Sequence, residues 1–138
     1  MGDRDTTIEE LGEAACDELL GAHHFGRIAV IVDGSPVVLP VNYFYQDGRV
    51  AIRTDPGTKL TAAAMGNVAF EIDGVDDESR TGWSVLVRGT GFDVTDSLDG
   101  VSEEIRRFPV DTWAPGDKAC WIRIEPQIVT GRRISPAE

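Results

Sequence analysis

From Gly26 onward the chain alternates between apolar and polar positions. The run RIAVIV, residues 27–32, is followed by the turn signal DGS and then by the β-rich run PVVLPVNYFY, residues 36–45. A second turn signal, QDGR, leads into VAIRT, residues 50–54. These three runs predict successive strands in an antiparallel meander. Pro40 has no amide hydrogen for a ladder, so its place inside the second run points to a bulge or an edge. NVAFEIDG, residues 67–74, predicts a fourth strand. WSVLVRGTGFDVT, residues 83–95, predicts a long fifth in which Gly89 and Gly91 permit a sharp bend. KACWIRIEPQIVTGRRI, residues 118–134, predicts a last strand interrupted by Pro126.

The period changes at the N-terminus. Thr7-Ile8-Glu9-Glu10 fits a capping box, and Ile8, Leu11, Ala15, Leu19 and Leu20 recur near helical spacing. One amphipathic helix from about residue 7 to about residue 21 is predicted, with Gly21 near its stop. GTKLTAAAMG predicts a short helix over about 58–65, and SLDGVSEEIRRF a second one. VDDESRTG and PVDTWAPGD read as exposed loops. Six strands with a few short helices predict a mainly β fold, a small barrel with helical inserts. A single domain over 1–138 is expected, with an N-terminal helix in 1–22 and the barrel in 26–134. Strands apolar on both faces need cover, which a homodimer interface would supply.

Composition narrows the function classes. The chain has 138 residues, enough for one domain, and 41% hydrophobic residues, enough for a core. Its net charge of −11 repels nucleic acid and anionic lipid. No apolar run approaches the roughly 20 residues of a membrane span. The polar, acidic segment MGDRDTTIEELGEAACDELL does not read as a secretory signal, so a cytoplasmic protein is expected. Cys16 and Cys120 form no CxxC pair and read as small apolar residues. His23-His24 stands in no ligand set at metal spacing, so no metal site is expected. No GxSxG element is present, and Asp76, Asp77 and Glu78 read as a solvated loop. Any chemistry therefore has to come from a bound cofactor.

One block gathers donors in this acidic chain. Arg53 and Thr54 end a strand, and Thr58 and Lys59 open the helix after the turn Asp55-Pro56-Gly57. A phosphate needs charge-assisted donors around a small sphere, and a helix start adds free amides. The same residues also fit a Thr N-cap flanked by two solvated cations. Upstream, Asn42 offers an amide that donates and accepts, and Tyr43 and Tyr45 offer flat faces for a planar heterocycle. The other reading closes a turn with Asn42 and packs the tyrosines across strands. Trp121 reads as core, and Trp113 as a lid or dimer contact.

The run GRIAVIVDGSPVVLPVNYFYQDGRVAIRTDPGTKL, with VAFEIDG and TGWSVLVRGTG, resembles the pyridoxamine 5′-phosphate oxidase-like family of FMN-binding split β-barrels, in its flavin-nucleotide-binding branch. The resemblance implies a six-stranded split barrel and a homodimer with two flavin sites at its interface, acting on a small-molecule substrate. It implies that the FMN phosphate lies around Arg53, Thr54, Thr58 and Lys59, with Leu60 at the end of the block. It sets the flavin ring along Val41, Asn42 and Tyr43 and brings Trp83 and Ser84 of the fifth strand near it. The second subunit would complete the site, with Trp113 and Arg133 as candidates. The short end VTGRRISPAE lacks the Arg-rich segment of true pyridoxamine-phosphate oxidases, which argues against pyridoxal phosphate synthesis. Related split barrels bind F420 or haem. The compact phosphate block favours FMN over F420, whose polyglutamyl tail asks for a longer basic groove. The resemblance thus implies a flavin-dependent oxidoreductase or, alternatively, a non-catalytic flavin, F420 or haem carrier or sensor.

Overall fold

Ile28, Val30, Phe70, Ile72, Val85, Val87, Ile122 and Ile124 sit at alternate positions of their strands and are almost wholly buried. That period of two turns one face of each strand inward and builds the main core. The structure, a computed structural model, describes residues 6–136. Its elements are β1 (Thr6–Leu11), α1 (Glu13–Ala22), β2 (Phe25–Val32), β3 (Ser35–Asn42), β4 (Phe44–Gln46), β5 (Arg49–Thr54), α2 (Lys59–Ala63), β6 (Gly66–Asp76), β7 (Thr81–Asp93), α3 (Gly100–Ile105) and β8 (Cys120–Pro136).

The strands form one antiparallel sheet in the order β3-β2-β6-β7-β8-β5-β4. Its two ends, β3 and β4, are consecutive in the chain and separated only by Tyr43. The sheet must therefore curl until its ends meet, which is the split barrel that the six predicted strands imply. The predicted second strand is thus shared: β3 pairs with β2, and β4 pairs with β5. Pro40 lies in β3 at the sheet's end, where a missing amide hydrogen costs least. Asp33-Gly34 and Asp47-Gly48 all have positive φ, as two-residue hairpin turns require. The fifth strand bends as expected, with a register shift between Arg88 and Gly89 opposite Pro126. A Cβ on Gly89 would strike the Glu125 carbonyl, and one on Gly91 the Ala64 carbonyl.

The N-terminus departs from expectation. Residues 6–11 form β1, not the first turns of a helix, and α1 begins at Glu13 after Gly12. β1 pairs antiparallel with the end of β8, from Thr6↔Pro136 to Leu11↔Gly131. The long β8 extends past β5 and leaves ladder groups to be matched, and β1 satisfies them. Glu9 and Glu10 stand opposite Arg133 and Arg132, so unlike charges face each other across the strand pair and favour it over the local capping box. Residues 1–5, the start of the predicted N-terminal unit, lie outside the described residues.

Cys16 and Leu20 of α1 close the main core. A second, smaller core of Ala51, Val94, Ile105, Phe108 and Val110 lies on the other face of β5, with Phe44 and Trp121 packed against it. Asp99 caps α3 by accepting the Ser102 amide at 2.9 Å, which holds its carboxyl below the usual range. Among the described residues, no helix is long and apolar enough to cross a membrane.

Candidate functional site

The donor block at the β5–α2 turn is only partly convergent. Thr54 is buried, and its hydroxyl lies 3.2 Å from that of Thr58, which lies 3.3 Å from that of Thr61. Thr58 holds the N-cap position of α2 but makes no side-chain capping bond. Its hydroxyl belongs to a row of three instead. Arg53 and Lys59 diverge from that row. Successive strand residues face opposite ways, so Arg53 turns from Thr54 toward the second core. There its Nε donates to the Lys118 carbonyl at 3.0 Å, and its guanidinium lies 4.9 Å from the Trp121 ring centre. Lys59 donates to Asp33 of the β2–β3 turn at 2.8 Å, with both side chains about three-quarters exposed. Leu60 is half-buried against the main core.

The loop before β8 is fastened to this block. Asp55 Oδ1 accepts the Lys118 amide at 2.9 Å, and Asp55 Oδ2 accepts Lys118 Nζ at 2.9 Å. These bonds hold the Asp55 carboxyl below its usual range. Lys118 adopts a left-handed φ of 49°, and a Cβ on Gly116 would strike the Asp55 carboxylate. Both features show a loop shaped around that one side chain.

At its other end the loop meets β3. The Trp113 amide donates to Asn42 Oδ1 at 2.9 Å. Asn42 is the register partner of Phe25, and the Phe25 and Trp113 rings stack 5.5 Å apart at an interplanar angle of 9°. Asn42 stands two residues before the Phe44↔Ala51 register pair, where β3 comes near β5. Trp113 thus adjoins Asn42 of its own chain.

Alternation corrects the rest of the expected ring wall. Val41 and Tyr43 turn inward, leaving only Asn42 of the three to present its side chain outward. Tyr43 is 1% exposed, packs edge-on to Phe70 and donates its hydroxyl to the Leu20 carbonyl at 2.7 Å. Burial drives its phenol pKa upward. Its side chain is therefore a core strut, not a flat face for a heterocycle. Tyr45 donates to Asp17 at 2.6 Å and ties β4 to α1.

Trp83, Ser84 and Arg133 lie far from Arg53 along β8, but Ser84 registers with Asp73, which pairs with Arg27 beside the Phe25 ring. Arg53 registers with Trp121 at the start of β8, whereas Trp83 and Ser84 register with Arg133 and Arg132 near its end. Trp83 lies over Gly74, where a Cβ would come 2.7 Å from Nε1, and against His23 at 4.8 Å. Trp83 and Arg133 line a cleft of about 480 Å³ with Gly74, Val75, Gly82 and Ile134. Next to it, Arg27 pairs with Glu71 at 3.3 Å and Asp73 at 3.2 Å. Burial and then the Asp73 carboxyl push Glu71 up to about 7, against the pull of Arg27.

Phe25, Asp33, Asp55, Lys118 and Thr61 are also neighbours of the site, and no pattern along the chain marks them as such. Asp55 sits inside the quoted block, but its partner is 63 positions away, and local spacing carries no sign of it.

A bent antiparallel sheet curled on itself, with a hydroxyl row at one strand–helix turn, defines a split-barrel protein with a candidate anion site. A family model described as pyridoxamine 5′-phosphate oxidase matches residues 12–133, and the chain belongs to that family. It is 33% identical over 135 residues to an uncharacterized protein of Mycobacterium tuberculosis, with 92% of this chain and 86% of the relative covered. The solved FAD binding protein from Mycobacterium smegmatis is 35% identical, with a TM-score of 0.74 over 91% of this chain and 97% of that one. A candidate pyridoxamine 5′-phosphate oxidase from Corynebacterium glutamicum is 31% identical, with a TM-score of 0.78 over 100% of this chain and 98% of that one.

Proposed function

We propose that this chain is a homodimeric flavin-nucleotide oxidoreductase acting on a small substrate. The observation that carries this reading is the row of Thr54, Thr58 and Thr61 hydroxyls, toward which Lys59 and Arg53 would swing from Asp33 and Lys118 when an anion binds. Three hydroxyls can each donate to a phosphate oxygen, and two cations offset its charge. Among the described residues only Nε of Arg53 is bonded within the protein, leaving its terminal nitrogens for an anion. These groups fit the ribityl phosphate of FMN, and equally the first phosphate of FAD. The Mycobacterium smegmatis relative, called an FAD binding protein, favours a flavin over F420.

In this reading a bound flavin supplies hydride or electron-pair transfer. The chain's own residues bind and orient. Arg53, Lys59 and the threonines hold the phosphate, and Asn42 directs its amide to the polar edge of a ring. The stacked Phe25 and Trp113 keep water from one side. Trp83 and Ser84 of the same chain approach the ring end of the site through Asp73 and Arg27 beside Phe25, and Arg133 would come from a second copy. Exposed apolar residues on the outer face, among them Val38, Ile31, Leu86 and Ile128, offer that copy an interface.

Purified protein should show oxidised-flavin absorption or acquire it on adding FMN or FAD. Mass spectrometry of the released cofactor identifies which. A protein that takes up neither overturns the reading. A dimer that binds flavin but shows no turnover after anaerobic reduction and addition of acceptors supports a carrier or sensor instead.

A further inference from the structure

Glu71 and Asp73 stand on one face of β6 and share one cation. Arg27 Nη1 lies 3.3 Å from Glu71 and 3.2 Å from Asp73, and the two carboxylate side chains are 31% and 33% exposed. Arg88 of β7, Arg132 of β8 and Glu10 of β1 share this face, and neither arginine forms an ion pair with the two carboxylates. One guanidinium therefore offsets one of two neighbouring negative charges. Like charges in one site oppose double ionisation, so such a pair keeps a proton that a lone acid would release. Burial and then the Asp73 carboxyl push Glu71 up to about 7 accordingly.

The pair borders the ring end of the candidate site. The Arg27 guanidinium lies 5.9 Å from the Phe25 ring, Phe25 registers with Asn42, and Ser84 registers with Asp73. Both carboxylates line a cleft of about 270 Å³ with Trp83, Ser84 and Arg132. The groups already placed at that end, Asn42, Trp83 and Ser84, exchange no proton near neutral pH.

We propose that Glu71, coupled to Asp73 and Arg27, is the redox-linked proton acceptor of this site, taking up a proton when a bound flavin receives an electron pair and giving it back when the pair leaves. The inference rests on the flavin reading and adds a proton-handling residue to it. A hydride donor brings two electrons and one proton to the ring, which leaves one negative charge there. The Glu71 carboxylate then takes one proton from solvent and becomes neutral, so the charge of the site is unchanged. An acceptor that leaves with two electrons and two protons draws the second proton from Glu71. The added negative charge raises the Glu71 pKa, so the extra uptake falls above pH about 7. At lower pH the carboxyl is protonated in both redox states, and the extra uptake disappears.

Reduction potentials of the full chain loaded with FMN, followed against pH with indicator dyes, count the protons taken up per electron pair. From about pH 7 to about pH 8 the parent should take up about half a proton or more beyond Glu71→Gln, and below about pH 6 the two should agree. Asp73→Asn leaves Glu71 alone with Arg27, so its extra uptake should move to lower pH. Identical pH slopes in the parent and Glu71→Gln overturn the role and leave the flavin reading standing. Extra uptake at unchanged pH in Asp73→Asn overturns the coupled pair. A protein that takes up no flavin overturns both the role and the reading beneath it.

Discussion

Asp55 holds Lys118 by both of that residue's donors, the backbone amide and Nζ, each at 2.9 Å. One carboxylate in the donor block therefore fixes the loop that carries Trp113. Lys118 lowers the Asp55 pKa, so the contact's contribution is present above the ordinary carboxylate range and is lost as pH falls through the lowered value. Amides 113–119 should exchange faster at acidic than at neutral pH, after correction for intrinsic rates. Asp55→Asn should show fast exchange at neutral pH and little further acid response. Equal protection in the variant and the parent would refute the fastening role.

Lys59 should anchor phosphate, but it first has to leave Asp33. That pair is highly exposed, and exposed ion pairs contribute little. Lys59→Ala should weaken flavin binding by about 1.5–3 kcal/mol, the usual worth of a charge-assisted bond. Asp33→Asn should leave affinity equal or slightly tighter. Flavin titrations followed by fluorescence quenching check both, and unchanged affinity in Lys59→Ala removes that residue from the clamp.

Tyr43 is tested by stability, not by binding. Tyr43→Phe keeps the ring against Phe70 but leaves the buried Leu20 carbonyl without its hydroxyl donor. A loss of about 1–3 kcal/mol in urea unfolding is expected, with flavin affinity unchanged. A large loss of flavin affinity with normal stability would return Tyr43 to the ligand wall.

Glu71 gives a pH signature of the opposite sign from Asp55. Its pKa rises to about 7, so the folded chain holds a proton that the unfolded chain releases nearer 4.5. Stability should therefore fall as pH rises from about 4.5 through about 7. Glu71→Gln should flatten this part of the profile. Denaturant midpoints measured across that range for both proteins decide it, and an identical slope would count against the effect.

Part of the candidate site was legible because its signals are local. The hydroxyl and cation cluster stands within seven positions of one turn, from Arg53 to Lys59, and the turn residues are unambiguous. Which side chains share a point was less legible. Alternation sends Arg53 away from Thr54, a consequence of the strand period that closeness along the chain hides. The stack of Phe25 on Trp113 and the hold of Asp55 on Lys118 join distant segments, and no local pattern encodes them.

By itself the sequence determined most of the strands from Gly26 onward, both hairpin turns, the bend near Gly89 and the donor block, because period-two alternation and glycine-compatible turns act over a few residues. Only the tertiary structure decided that residues 6–11 are a strand, since the unmatched end of β8 outweighs a capping box. It alone decided that Tyr43 belongs to the core, because the sheet closes at that residue and buries what stands there. Local chemistry proposed the elements, and matching the remaining backbone donors and apolar faces across the closed sheet chose among them.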